Sequence, residues 1–347
     1  MVDLILLLGI AALAALQPAC YDPLEKASTD GMKGLLAVGV VVHHIAQDTQ
    51  AGTALRLFEN WGVYLVAGFF FISGYGLMVS LQKKGPAYLH GFLRRRLPGV
   101  AVPYLGAAVL FALVRTLALH QNLFARTLTD ALATSDTLVP FSWFIFAILY
   151  FYLLFDAAAH LGKSVPVLLA AAALGLVLYT VVLWRLGAGR WWFDSTLAFW
   201  LGLAAGAPGA ENLRAFARRH FVLCLLGGTL ALGALSLAQN AFAAAGIAYT
   251  PLWDMIFWLL RSGLFSLLLV LWGRRFCFSV PALRWLGARS LDLYLLQGLP
   301  MWLLRGKFLF VASDGVYMAG VLAGTLLLAW GCRAARTAAA KRLRALH

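Results

Sequence analysis

The sequence predicts an all-α polytopic integral membrane protein, and three observations carry that prediction. Hydrophobic residues make up 62% of the 347 positions and charged residues only 12%, with a mean hydropathy of +0.83. A soluble globular domain is excluded by that composition. Apolar runs of the roughly 20 residues needed to cross a bilayer recur along the chain. The basic residues between them gather on alternate connections, as the positive-inside rule requires.

Taken in order, ten apolar runs read as spanning helices, at 33–52, 58–81, 98–119, 142–160, 165–184, 192–207, 221–240, 253–272, 290–304 and 316–332. They form a ten-helix core. A further apolar run at 4–18 carries Asp3 where a signal peptide would be positive, and Gln17-Pro18-Ala19-Cys20 is a poor cleavage site. It reads as a retained helix, so that 1–20 is an additional N-terminal transmembrane element. The core domain is expected over 28–335, with a basic cytoplasmic tail at 336–347. The longest polar interval, near 120–141, is too short to build a core of its own. No repeat of fixed period appears, which leaves solenoids and obvious inverted-repeat transporters without support.

The formal net charge of +14 invites a nucleic-acid reading, but the placement of the charges argues against one. If the loop 82–97 is cytoplasmic, twenty of the 28 Lys and Arg residues fall on that side and seven on the other, while Arg261 lies within a helix. The C-terminus is then cytoplasmic, and eleven spans put the N-terminus outside. Cys20, Cys224, Cys277 and Cys332 are scattered with no C-x-x-C pair, which suggests neither disulfides nor a zinc site.

Within the first core helix, Lys33 and His44 are eleven residues apart on an apolar stretch. Eleven steps of about 100° return close to the same face, and a rise near 1.5 Å per residue separates the two by about 16 Å. An ionisable group at that depth is costly and marks a functional site or a proton path. His43 points about 100° away and reads as a neighbour or orienting partner. No carboxylate or Cys sits at helical spacing from the two histidines, so a metal site is not expected. Asp30 reads as the N-cap of this helix, with a second role of holding Lys33. Arg94, Arg95 and Arg96 could be simple positive-inside anchors. Ser73 and Gly74 suit close helix packing, and Tyr75 suits a packed aromatic. Arg261 has Asp254 on nearly its own face, so it either snorkels outward or binds an acceptor. Trp143, Trp191, Trp192 and Trp253 fall near the expected interfaces, where aromatic belts form.

Five segments, in order, resemble the membrane acyltransferase family 3. Thr29-Asp30-Gly31-Met32-Lys33-Gly34 followed by His44 is similar to its opening Asp-Gly-x-(Arg/Lys)-Gly motif and helix-ending His. Gly68-Phe69-Phe70-Phe71-Ile72-Ser73-Gly74-Tyr75 resembles its second helix, and Phe92-Leu93-Arg94-Arg95-Arg96-Leu97 with Pro103-Tyr104 its basic segment. Ser142-Trp143-Phe144 and the stretch from Leu286 to Leu295, with Ser290 and Tyr294, complete the series. Two positions depart from the pattern: Gly99 and Val100 stand where the family carries a second Arg, and Gln297 stands where it carries a His. Gln can hydrogen-bond but cannot serve as a base.

The resemblance implies an O-acyltransferase of the bacterial cytoplasmic membrane. Acyl-coenzyme A, with acetyl-coenzyme A as its representative, would be the co-substrate, and the acceptor a hydroxyl of an extracytoplasmic or lipid-linked glycan or glycolipid. His44 would be the base, with His43 beside it. Lys33 and Arg94 to Arg96 would meet the donor's phosphates. Asp30, Ser73, Tyr75, Trp143, Arg261 and Gln297 would support the site or its substrates. Membrane lipids and a separate extracytoplasmic transferase are the further partners implied. Two other classes stay open: a transporter or flippase for a polar or lipid-linked sugar, and a catalytically inactive subunit of a polysaccharide export complex.

Overall fold

The computed structural model describes residues 2–19, 22–49, 54–118, 138–162, 164–245, 251–306 and 309–345. Cys20, Arg126, Lys163, Lys307 and most of the interval 120–141 lie outside the described residues. The chain is all-α and polytopic. In order it forms α1 (Val2–Leu16), α2 (Lys26–Gln47), α3 (Gly62–Lys84), α4 (Phe92–Leu113), α5 (Trp143–Leu161), α6 (Val165–Arg185) and α7 (Leu197–Gly206). There follow α8 (Glu211–Arg219), α9 (Phe221–Ala245), α10 (Pro251–Trp272), α11 (Pro281–Gly287), α12 (Ser290–Leu296), α13 (Gly298–Leu304) and α14 (Asp314–Ala345). Seven of these are long and apolar enough to cross a membrane: α3, α4 with its π-helical extension, α5, α6, α9, α10 and α14.

α3 is the central post of the bundle. Its apolar stretch is 72% buried, against 22–39% for the other six long helices. Glycines let α7 lie directly against it: a Cβ at Gly74 would stand 2.2 Å from the Phe199 carbonyl oxygen, and one at Gly202 would stand 2.1 Å from that of Phe71. Small residues permit that backbone approach in a bilayer, where packing rather than the hydrophobic effect joins helices. Gly85 (φ 64°) and Gly91 (φ 62°) take the positive φ that a glycine adopts readily and that turns the chain from α3 into α4.

Among the described residues, each expected spanning segment is largely helical, but two are not single uninterrupted helices. The run 192–207 is a helix only from Leu197, because polar Asp194, Ser195 and Thr196 occupy its first turn and the Thr196 hydroxyl donates to the Phe193 carbonyl at 2.9 Å. Local side-chain bonds of that kind compete with the helical ladder. The run 290–304 divides at Gln297 into α12 and α13. Pro300 has no N–H to donate to the Leu296 carbonyl, so the ladder opens one residue before Gln297 turns into α13. The stretch 211–219, which reads as part of a loop, is a short helix with Leu213 and Phe216 exposed on one side and Arg214, Arg218 and Arg219 among its polar residues. Such a helix suits the plane of a membrane surface.

Candidate functional site

The site is organised by α2. Its Asp-Gly-x-Lys-Gly motif has a steric origin: a Cβ on Gly31 would fall 1.6 Å from the Phe278 carbonyl oxygen, and one on Gly34 would fall 2.2 Å from that of Leu283. A Cβ on Gly287 would in turn lie 1.7 Å from the Asp30 carbonyl oxygen. The three glycines therefore seat the segment 278–287, including α11, directly on the backbone of α2. Only a bare Cα leaves room for that approach.

Asp30 is not the N-cap. α2 begins four residues earlier, at Lys26, so Asp30 lies inside the helix, where Lys26 and Lys33 both reach it at 2.6 Å. The i,i+4 and i,i+3 spacings make this the natural pairing on a helix surface. Burial works to raise the Asp30 carboxyl, but the bonds and charges of the two ammonium groups outweigh it and hold the group below the ordinary carboxylate value. Two cations share one carboxylate, and with Glu25 at the cap of α2 the segment 25–33 carries two ammonium groups against two carboxylates.

Three turns further on, His44 is 7% exposed and held on two sides. Its Nδ1 lies 3.0 Å from Gln297 Oε1. The Gln297 amide nitrogen is committed to the Tyr294 carbonyl at 2.9 Å, so the oxygen is the atom that faces the imidazole. An amide oxygen can only accept, and Nδ1 is therefore the protonated nitrogen. Nε2 is left with its lone pair free. Phe141 stacks on the imidazole with ring centroids 3.7 Å apart and planes 12° apart. That phenylalanine has φ 63°, a left-handed conformation costly for a residue with a Cβ, and its carbonyl accepts the Tyr294 hydroxyl at 2.5 Å. Strained backbone of this kind concentrates at functional sites.

His43 does not orient His44. Its Nδ1 donates to the Phe58 carbonyl at 3.0 Å, and its ring stands 4.9 Å from that of His44 at 47°. Gly62 leaves room for it, since a Cβ there would lie 2.3 Å from His43 Nε2. Of the basic cluster, Arg95 donates to the Tyr88 carbonyl at 2.7 Å and to the His90 carbonyl, and Arg96 donates to the Tyr88 hydroxyl at 2.8 Å. Both brace the turn before α4, while Arg94 is exposed. Ser73 and Tyr75 are half-buried on α3, beside the glycine contacts with α7. Trp143 and Trp192 are buried and meet at 6.2 Å. They pack α5 against the 190–192 turn and belong to the core, whereas Trp191 and Trp253 are exposed.

Arg261 does not snorkel outward. It donates to Gln239 Oε1 and lies over the Trp258 ring at 4.4 Å and the Tyr64 ring at 5.6 Å. Gln239 donates onward to Asp254 at 2.6 Å, and Asp254 pairs with Arg190. Arg190 also reaches Asp194 at 3.5 Å. This network joins α3, α9, α10 and the turn before α7. It lies at the His44 end of the bundle, because Gly62, the first residue of α3, meets His43, and Trp61 just before it meets Tyr64. Asp194 Oδ1, Ser195 Oγ and Trp258 Nε1 are buried there without a hydrogen-bond partner. Sequence reasoning picked out Arg261 and Asp254 but missed Arg190, Asp194 and Gln239, which come from other elements. It also missed Phe141, whose only signal is its place beside Pro140 ahead of a helix.

A family model described as an acyltransferase domain matches residues 26–334. No curated protein and no solved structure gives a significant match. The matched span begins at the first residue of α2 and runs into α14, so it contains the Lys33 end, the His44 cradle and the Arg261 network alike. The chain is a membrane protein that belongs to acyltransferase family 3.

Proposed function

We propose that this protein is an O-acyltransferase that moves an acyl group, acetyl in the simplest case, from acyl-coenzyme A to a hydroxyl of an extracytoplasmic or lipid-linked glycan. The observation that carries the reading is the free Nε2 of His44, fixed by the Gln297 bond to Nδ1. A neutral imidazole with one committed nitrogen suits general-base work. Nε2 takes the acceptor's hydroxyl proton as that oxygen attacks the thioester carbonyl. When the carbon–sulfur bond breaks, the same proton passes from Nε2 to the departing thiolate, and His44 returns to its starting form.

The Lys33 end offers the donor's phosphates the ammonium groups of Lys26 and Lys33, which Asp30 and Glu25 match in charge, and exposed Arg94 on the same side of the membrane would supply the excess. The roughly 16 Å between Lys33 and His44 along α2 fits a long, thin pantetheine arm. With the basic end cytoplasmic, the donor enters from the cytoplasm and the acceptor from the opposite face. The unpartnered groups around Arg261, Asp194 and Trp258 would then face the acceptor's hydroxyls. A separate extracytoplasmic transferase would carry the acyl group onward where the final target is a polymer.

The test is release of free coenzyme A from acetyl-coenzyme A by the purified protein in nanodiscs, with membrane glycolipid supplied. His44→Ala is expected to lower turnover by roughly 10²- to 10⁴-fold, the range of a lost general base, with folding unchanged. Full turnover in a folded His44→Ala protein would overturn the assignment. A folded wild type that neither binds nor cleaves the donor would favour the transporter or inactive-subunit readings.

A further inference from the structure

At the basic end of the bundle, where the turn between α11 and α12 meets α14, an open cleft of about 380 Å³ is lined by Arg289, Trp330, Arg333, Ala334, Thr337 and Ala338. Among the described residues, neither of its two cations pairs with a carboxylate. Arg289 lies over the Trp285 ring at 3.8 Å and donates from Nη1 to the Trp285 carbonyl at 3.0 Å. Its Nε is buried with no hydrogen-bond partner. Arg333 donates to the Ala288 carbonyl. The acidic residue nearby, Asp292, is already engaged by Arg336, which donates to both carboxylate oxygens at 2.5 and 2.6 Å. Arg289 is held below its ordinary pKa first by burial and then by the charge of Arg333, with Asp292 opposing. Two guanidinium groups thus face one cleft, spending bonds on neutral carbonyls.

The rim of the cleft is apolar. Trp330 and Leu327 lie three residues apart on α14, and both are exposed, as is Trp285. An aromatic and aliphatic strip running from a cationic cleft into the apolar length of a spanning helix matches an amphiphile. Guanidinium groups are well suited to phosphate oxygens, and basic pockets between helices on the cytoplasmic side take anionic lipid headgroups. We propose that this cleft binds the phosphate of an anionic membrane lipid between Arg289 and Arg333, with the acyl chains lying along Trp330 and Leu327. The site is separate from the His44 cradle and does not depend on the reaction proposed above.

The experiment uses the purified full-length protein, delipidated in detergent and titrated with phosphatidylglycerol or phosphatidylcholine, read by thermal unfolding and by native mass spectrometry. Phosphatidylglycerol is expected to raise the unfolding temperature and to remain bound in the mass spectrum, and phosphatidylcholine to do neither. The Arg289→Gln/Arg333→Gln double variant should bind phosphatidylglycerol roughly 30-fold more weakly, from the loss of two headgroup-contacting charges. Arg333→Gln alone, at an exposed side chain, keeps the test usable if the double variant folds poorly, and should weaken binding several-fold. Lys83→Gln, on the same face but away from the cleft, should bind as wild type does. Equal stabilisation by the two lipids, or wild-type affinity in Arg333→Gln and the double variant, would overturn the proposal. So would displacement of bound phosphatidylglycerol by coenzyme A but not by dephospho-coenzyme A, because the phosphate held in the cleft would then be the donor's.

Discussion

Gln297 is the residue whose replacement separates a positioned base from a merely buried histidine. In Gln297→Leu the shape is roughly kept but both bonds go: His44 Nδ1 loses its acceptor, and the Tyr294 carbonyl loses its donor. Gln297 is fully buried and His44 nearly so, so no water replaces the lost partner. An unpaired buried donor costs about 1–3 kcal/mol, which is a factor of roughly 5 to 150 in an equilibrium or rate. The imidazole escapes that cost by turning its ring or by moving its proton to Nε2. Either response removes the lone pair from the reacting position.

Coenzyme A release under saturating acetyl-coenzyme A should therefore fall by about 10²-fold in Gln297→Leu, toward the upper part of that range, with the KM for the donor unchanged. A structural role alone would lower stability without dividing kcat from KM. The rescue variant is Gln297→His, which restores the residue common in this family and offers a ring nitrogen that can accept from Nδ1. It should recover most of the lost rate. Wild-type kcat in a folded Gln297→Leu protein, or a Gln297→His protein no faster than the leucine variant, would refute the assignment of His44 Nε2 as the base.

Two further outcomes follow from the other end of α2. Lys33→Gln should raise the KM for acetyl-coenzyme A roughly tenfold, in line with the loss of one charge-assisted phosphate bond, while Lys33→Arg should match wild type; initial-rate kinetics over donor concentration checks both. Gly34→Ala puts a Cβ 2.2 Å from the Leu283 carbonyl oxygen and should destabilise the protein by about 1–3 kcal/mol or more, as overpacking does. Gly76→Ala, where nothing stands within 4 Å, should be neutral or slightly stabilising, and thermal unfolding in one detergent compares the two.

The parts of this protein that were legible in the sequence are those set by one helix or by the bilayer. Spanning segments announce themselves because the solvent demands apolar runs of a given length, and Lys33 and His44 could be paired because one continuous helix carries both. What stayed hidden depends on contacts between distant segments. Gln297 reads only as a departure from a motif until the fold brings it against His44 from 253 residues away. Asp30 looks like a cap because Ser28 and Thr29 adjoin it, yet the helix starts at Lys26 and turns the same carboxylate into a bridge between two lysines. Arg261 seemed free to reach outward because its partner Gln239 belongs to α9. Trp143 and Trp192 sit at positions where belts occur, but each is buried by the other's helix or turn.

One late segment holds α2 at both functional ends. Gly34 meets Gly287, with a Cβ on the former only 2.8 Å from the latter's backbone nitrogen, and His44 meets Gln297 at 3.0 Å. Both intervals are ten residues long, and the two segments run in the same direction. Along α2 that interval climbs about 15 Å at 1.5 Å per residue, and the segment 287–297, a turn followed by α12, meets it at both ends like two rungs of a ladder. The Pro300 interruption opens the ladder at the second rung, where Gln297 separates α12 from α13. Beyond it α13 runs on to Leu304, and Arg305 after it donates to the Asp48 carbonyl at the end of α2, while Asp48 accepts the Tyr317 hydroxyl at 2.8 Å. The glycines of the opening motif and the glutamine of the late one are thus two parts of a single device. Bare backbone at the first rung sets the height at which the second rung's amide reaches the imidazole. A change at Gly34 should consequently be felt at His44 through the 287–297 segment, even though the two residues are about 15 Å apart along α2.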